Sequence, residues 1–161
     1  MKILETAIIA EKPEFLDALL SRFPVSREKV LDIDVYRLEL SESAVMIIYN
    51  LDPNKRYSDE ILLHLQPHLR GLIIALNEKD MQIETNHADN IETYLKQYPG
   101  TPTILAVATH QSLLAVVNKA VIKNGFYLDN DGRILFWNQE NAESLKNIWT
   151  TLLQAIQTNQ S

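Results

Sequence analysis

The chain of 161 residues has no cysteine, only four glycines and no excess of positive charge. Without cysteine there is no disulfide, no thiolate-bound zinc and no cysteine nucleophile. Glycine makes up about 2.5% of the chain, against a usual share of about 7%. The four are Gly71, Gly100, Gly125 and Gly132, so none precedes residue 71. A phosphate-cradling loop after a first strand needs glycine, because the backbone must turn tightly and approach the phosphate closely. Lys and Arg number 15 against 21 Asp and Glu, a net charge of −6. That balance argues against nucleic-acid binding, which requires a basic footprint. The longest apolar runs, Leu72–Leu76 and Ile104–Ala108, are far too short to cross a bilayer. The opening Met1-Lys2-Ile3-Leu4-Glu5 reaches an acid almost at once, unlike a secretory leader, so a cytoplasmic location is expected.

What the chain does have is apolar residues, 46% of the total. That share suffices for the core of one domain spanning residues 1–161. No repeat, linker or low-complexity tract interrupts it. Ile3–Ala10 reads as a strand. Pro13 suits a first helical turn, and Phe15, Leu16, Leu19, Leu20 and Phe23 recur at helical spacing up to Pro24. Val30–Leu40 alternates, with Leu31, Ile33 and Val35 on one face and Tyr36, Leu38 and Leu40 in the opposite phase. The phase change predicts a β-bulge near Val35–Tyr36. Ser41-Glu42-Ser43 is too short to join Val45–Tyr49 in any way but as an antiparallel hairpin. Ile61, Leu62 and Leu65 give a short helix stopped by Pro67, and Gly71–Leu76 a buried strand.

Ile91, Tyr94, Leu95 and Tyr98 mark another helix, followed by strand Thr103–Ala108. A broad apolar helix covers Leu113–Val121, with Ile122 on its far side, and its width suits a partner or homodimer face as well as a core. After the turn Asp129-Asn130-Asp131-Gly132 come strand Arg133–Trp137 and a helix carrying Leu145, Ile148, Trp149, Leu152, Leu153 and Ile156. The order β-α-β-β-α-β-α-β-α-β-α predicts an α/β fold, a doubly wound three-layer sandwich around a mostly parallel sheet.

This order of elements resembles the Ras-like small GTPase domain, over nearly the whole chain. The resemblance implies a six-stranded sheet in the order 2-3-1-4-5-6 with strand 2 antiparallel. It also exposes what the chain lacks. The family's phosphate loop, G-x-x-x-x-G-K-[ST], is matched here by Ala10-Glu11-Lys12-Pro13-Glu14-Phe15-Leu16-Asp17. Phe15 stands for the second glycine, Leu16 for the lysine and Asp17 for the hydroxyl. Pro13 removes an amide donor, and Glu11, Glu14 and Asp17 put negative charge where a triphosphate would lie. The family's D-x-x-G-Q-E-R-F is matched by Asn50-Leu51-Asp52-Pro53-Asn54-Lys55-Arg56-Tyr57. There Asn50 replaces the metal-binding Asp, Pro53 the glycine and Asn54 the catalytic glutamine. For the switch threonine, Ser26 is the nearest hydroxyl. The guanine-reading N-K-x-D becomes Thr109-His110-Gln111-Ser112, without its carboxylate. The motif after the sixth strand becomes Trp137-Asn138, where the indole is expected to cover the crevice rather than leave it open. Asn77-Glu78-Lys79-Asp80 follows the wrong strand and reads as capping polar residues. The resemblance thus implies a pseudoGTPase that binds neither nucleotide nor metal nor other cofactor. Such a domain works through a protein partner, of which roadblock/longin-type proteins are one kind, or through a homodimer.

A different reading places a small-ligand or catalytic site at the strand C-termini, from Glu11, Asp52, Thr109 and His110, since open α/β sheets bind ligands there. His64 and His68 have a spacing that can hold a metal on one helix face. Pro67 lies between them and no third ligand is apparent, so these histidines, like His87, are expected at the surface. A receiver-type phosphorylation site lacks both its acidic pair and its lysine, and no G-x-S-x-G elbow marks a hydrolase.

Overall fold

From Leu4 onward β1 (Lys2–Ala10) is buried or half-buried at every position, the pattern of a strand covered on both faces. A computed structural model describes residues 1–77, 96–109 and 133–159. Within them α1 (Pro13–Leu20) follows, then β2 (Val25–Val30), β3 (Ile33–Ser41), β4 (Ala44–Asn50), α2 (Asp59–Leu65), β5 (Leu69–Asn77), β6 (Thr103–Ala108), β7 (Arg133–Trp137) and α3 (Ala142–Thr158). The helix expected over Leu113–Val121, most of that over Ile91–Tyr98 and the turn at Asp129–Gly132 lie outside the described residues.

The strands form one sheet in the order β2-β3-β4-β1-β5-β6-β7. β3 pairs antiparallel with β2 and with β4, and all other pairs are parallel. A mixed, mostly parallel α/β sheet was expected. The sheet order differs from 2-3-1-4-5-6, because there are seven strands and β2 is added at the edge outside the hairpin. β2 carries no apolar alternation, as five of its six residues are exposed, so periodicity does not reveal it. Arg27, Glu28 and Lys29 charge this edge, which discourages pairing with other chains.

The expected bulge at Val35–Tyr36 is also corrected, since β3 pairs with β4 in regular register from Asp34 to Glu39. The register shifts only between Glu39 and Ser41. The apparent change of phase has another cause. Ile33 and Val35 enter the core on one face of the sheet, while Tyr36 and Leu38 pack on the other. Leu31, expected in that stripe, lies instead in the β2–β3 turn and is 71% exposed. Leu31 and Asp32 have φ of 47° and 70°, the left-handed pair that a two-residue hairpin requires.

Two cores flank the sheet. One joins α1 and α3 to Leu4, Ile8, Met46, Ile73, Ile104 and Trp137. The other joins α2, Tyr57 and Tyr98 to Ile9, Val35, Leu72, Ile74 and Val107. α1 ends at Leu20, before the expected Phe23, having buried Phe15, Leu16, Leu19 and Leu20. Burying each such side chain contributes about 1.5–3 kcal/mol. α3 is capped by Asn141, whose side chain accepts from the Glu143 and Ser144 amides at 3.0 and 3.2 Å, a cap worth about 1 kcal/mol. Among the described residues no helix is long and apolar enough to cross a membrane.

Candidate functional site

In a parallel sheet the strand C-termini converge on one edge, and β1, β4, β5, β6 and β7 bring Glu11, Asp52, Asn77, Thr109 and Trp137 to it. Only Glu11 and Lys12 separate β1 from α1. Phe15 and Leu16 consequently lie within the helix and are 5% exposed, inside the core. Ala10 is buried at the end of β1, and Asp17 points to solvent. Trp137, 1% exposed, meets Phe15 edge to face at 5.5 Å between ring centroids. The Thr109 amide donates to the Trp137 carbonyl at 2.9 Å, continuing the β6–β7 ladder by one bond, and Thr109 is itself buried. The Trp137 indole N–H is buried without a hydrogen-bond acceptor among the described residues. Lys12 stands 5.9 Å from the centre of the Phe15 ring.

The acidic residues at this edge are tied to backbone. The Glu11 carboxylate accepts from the Asn77 amide at 3.2 Å and its own amide donates to Ala75 at 3.0 Å, which joins the ends of β1 and β5. The Asp52 carboxylate accepts from the Asn54 amide at 2.8 Å, and its carbonyl accepts from the Lys55 amide at 3.0 Å. Its own amide donates to the Tyr57 hydroxyl at 2.9 Å. Burial pushes the Tyr57 phenol above its ordinary range, with the Asp52 amide opposing the shift. Pro53 is buried and Asn54 exposed on this loop, while Asn50 ends β4 opposite Asp34 and Ile8. His110 and Ser112 lie outside the described residues. Of the proposed polar cluster, Glu11, Asp52 and Thr109 therefore share one edge of the sheet: the Glu11 carboxylate bridges to β5, the Asp52 carboxylate caps its own exposed loop, and Thr109 is buried.

Lys55, absent from the expected site, organises the neighbouring corner. Its ammonium donates to the Asp32 carbonyl at 2.9 Å and pairs with the Asp32 carboxylate at 3.1 Å. Lys29 lies 3.5 Å from the same carboxylate. Hydrogen bonding from Lys55, then the charges of Lys55 and Lys29, hold the Asp32 carboxyl below its ordinary range. The clasp fastens the loop after β4 to the tip of the β2–β3 hairpin. Beside Asp32 the tip presents Val30 and Leu31, 48% and 71% exposed. The sequence signal for this contact was slight, an acid at a turn and a lysine 23 residues later. On the face of the sheet that carries the second core the half-buried Tyr49 hydroxyl donates to Glu5 at 2.7 Å. Burial first, then that carboxylate, push the Tyr49 phenol far above its ordinary range.

The His64 and His68 rings stand 6.0 Å apart. Among the described residues no cluster of three His, Cys, Asp or Glu could hold a metal ion. No known protein family matches the chain, and neither does any curated protein.

Proposed function

We propose that this chain is a degenerate Ras-like domain that has given up nucleotide chemistry and acts as a protein-binding regulatory or assembly module. The Phe15–Trp137 stack carries this reading, because two aromatic rings occupy the strand ends where the resemblance puts phosphate loop and purine. A two-residue β1–α1 connection supports it further, since it leaves no loop whose amides could surround a phosphate. Calorimetry with GTP and with GDP, each with Mg²⁺, is expected to give no binding heat. A micromolar dissociation constant for either would refute the reading.

The binding surface that fits best is the β2–β3 tip. Leu31 combines left-handed backbone with high exposure, so packing within this chain does not repay its strain. A contact with a partner accounts for an apolar residue kept there. Homodimerisation through the β2 edge is disfavoured by its charges. A two-fold antiparallel pairing pairs residues of equal parity, so a register centred on Arg27 opposes Arg27 to Arg27. One centred on Glu28 opposes Glu28 to itself and Arg27 to Lys29. Affinity capture with the wild-type chain and with Leu31→Asp, compared by mass spectrometry, is expected to show a stoichiometric partner lost only in the variant.

The alternative, a small-ligand or catalytic site at Glu11, Asp52, Thr109 and His110, has less support. The Glu11 and Asp52 carboxylates already accept from backbone amides, and Thr109 is buried.

A further inference from the structure

α1 and α3 lie side by side on one face of the sheet and leave a narrow apolar groove of about 400 Å³ between them, reaching Leu38, Leu40 and Met46 of β3 and β4. The groove follows α3 from Ala142 to Leu153, about 16 Å along a helix axis. Its floor includes Leu19, Met46 and Trp149, none more than 5% exposed. With so little of the floor exposed, an added helix, about 10 Å across, could cover Leu19, Met46 and Trp149 further only by parting α1 from α3. Two contacts oppose that: the Trp149 indole donates to the Leu19 carbonyl at 2.9 Å, and Phe23 stacks edge to face on Trp149 at 5.5 Å. The shape admits a thin, flexible apolar chain. Its size falls within the usual range of small-molecule sites, and its lining, aromatic and aliphatic with few polar groups, is of the usual kind.

The rim supplies the second half of the argument. Arg22 and Lys146 line the mouth, and neither enters an ion pair among the described residues. Glu143 is the only acid on the rim, so the mouth is net positive. We propose that this groove binds one linear fatty acid of medium chain length, the hydrocarbon lying over Leu19, Met46 and Trp149 and the carboxylate held at the mouth by Arg22 and Lys146. The site is separate from the strand ends and from the hairpin tip.

Dodecanoate titrated into the full chain below its micellar concentration tests this, read by calorimetry and by Trp149 fluorescence in a Trp137→Phe background. Saturable binding of one molecule per chain is expected, with dodecyltrimethylammonium at least tenfold weaker. Ala18→Phe narrows the groove and should weaken dodecanoate at least tenfold with an unchanged circular dichroism spectrum. If that variant fails to fold, the surface pair Arg22→Gln/Lys146→Gln serves instead, weakening dodecanoate about tenfold while dodecanol binding is unchanged. Absence of saturable binding, equal binding of the cationic amphiphile, or indifference to both variants would each overturn the proposal. So would a wild-type dimer in sedimentation velocity that Ala18→Phe abolishes, which would assign the groove to a second copy.

Discussion

The chain's two tryptophans are both buried, yet they should respond unequally to the same substitution. Trp149 donates its indole N–H to the Leu19 carbonyl at 2.9 Å. The Trp137 indole N–H is buried with no acceptor among the described residues. Replacing either by Phe shortens the ring system and loses about 1–2 kcal/mol of buried apolar area. At Trp149 the change also leaves the Leu19 carbonyl without its donor, which adds about 1–3 kcal/mol, for a total near 2–4 kcal/mol. At Trp137 it removes a donor that already bears that penalty, so the two terms offset and the net change should lie within about 1 kcal/mol of zero. Trp137→Ala is a different matter, because it empties a fully enclosed site and should cost about 3–5 kcal/mol. Urea unfolding followed by far-ultraviolet circular dichroism avoids the altered fluorescence. With a slope of about 1–3 kcal/mol per molar, the two Phe variants should differ in midpoint by roughly 1 M. Equal losses for Trp137→Phe and Trp149→Phe would show that the Trp137 indole is satisfied, and would remove the asymmetry on which the reasoning rests.

Leu31→Asn should stabilise the chain by about 0.5–1 kcal/mol in the same assay, because Asn tolerates the left-handed turn and Leu31 gives up little packing. Gly71→Ala should destabilise it by about 1–2 kcal/mol, since a Cβ there meets the Leu152 and Ile156 side-chain tips at 2.8 Å, both held in the core. In a carbon-detected NMR titration Asp32 should protonate below its ordinary value of 3.8, and Lys55→Met should move the midpoint back up. A depressed carboxyl contributes stability above its unfolded pKa and loses it as pH falls through the folded value, so the effect belongs to the acid limb. Tyr49 behaves in the reverse sense. Its phenol is raised from 10.0, so that contribution is complete below pH 10 and is lost only in stronger alkali, as an ultraviolet titration of wild type against Tyr49→Phe would show.

The main elements were legible because their burial is periodic. Phe15, Leu16, Leu19 and Leu20 mark α1, and Thr103–Ala108 was found to the residue. β2 was missed for the complementary reason: an exposed edge strand has no buried face, so nothing in Ser26-Arg27-Glu28-Lys29 alternates. The Leu31-Asp32 turn was missed because neither residue is among those that favour positive φ most strongly. In β3 a change of buried face, from Ile33 and Val35 to Tyr36 and Leu38, leaves the same pattern in the sequence as a bulge would. Glu11, Asp52 and Thr109 follow β1, β4 and β6 and so lie at one edge, because strand C-termini converge in any parallel sheet. Their hydrogen bonds were not legible, since the Glu11–Asn77 contact spans 66 residues.

From the sequence alone come the alternation of strands and helices, the absence of glycine before residue 71, and the acidic balance, all of which are local or compositional. The seventh strand, the Lys55–Asp32 clasp and the groove between α1 and α3 were decided only by the tertiary structure. Each depends on which element lies beside which, and that is a global property. The indole of Trp149 meets the carbonyl of Leu19 across 130 residues of chain, and periodicity within one helix holds no information about the backbone of another.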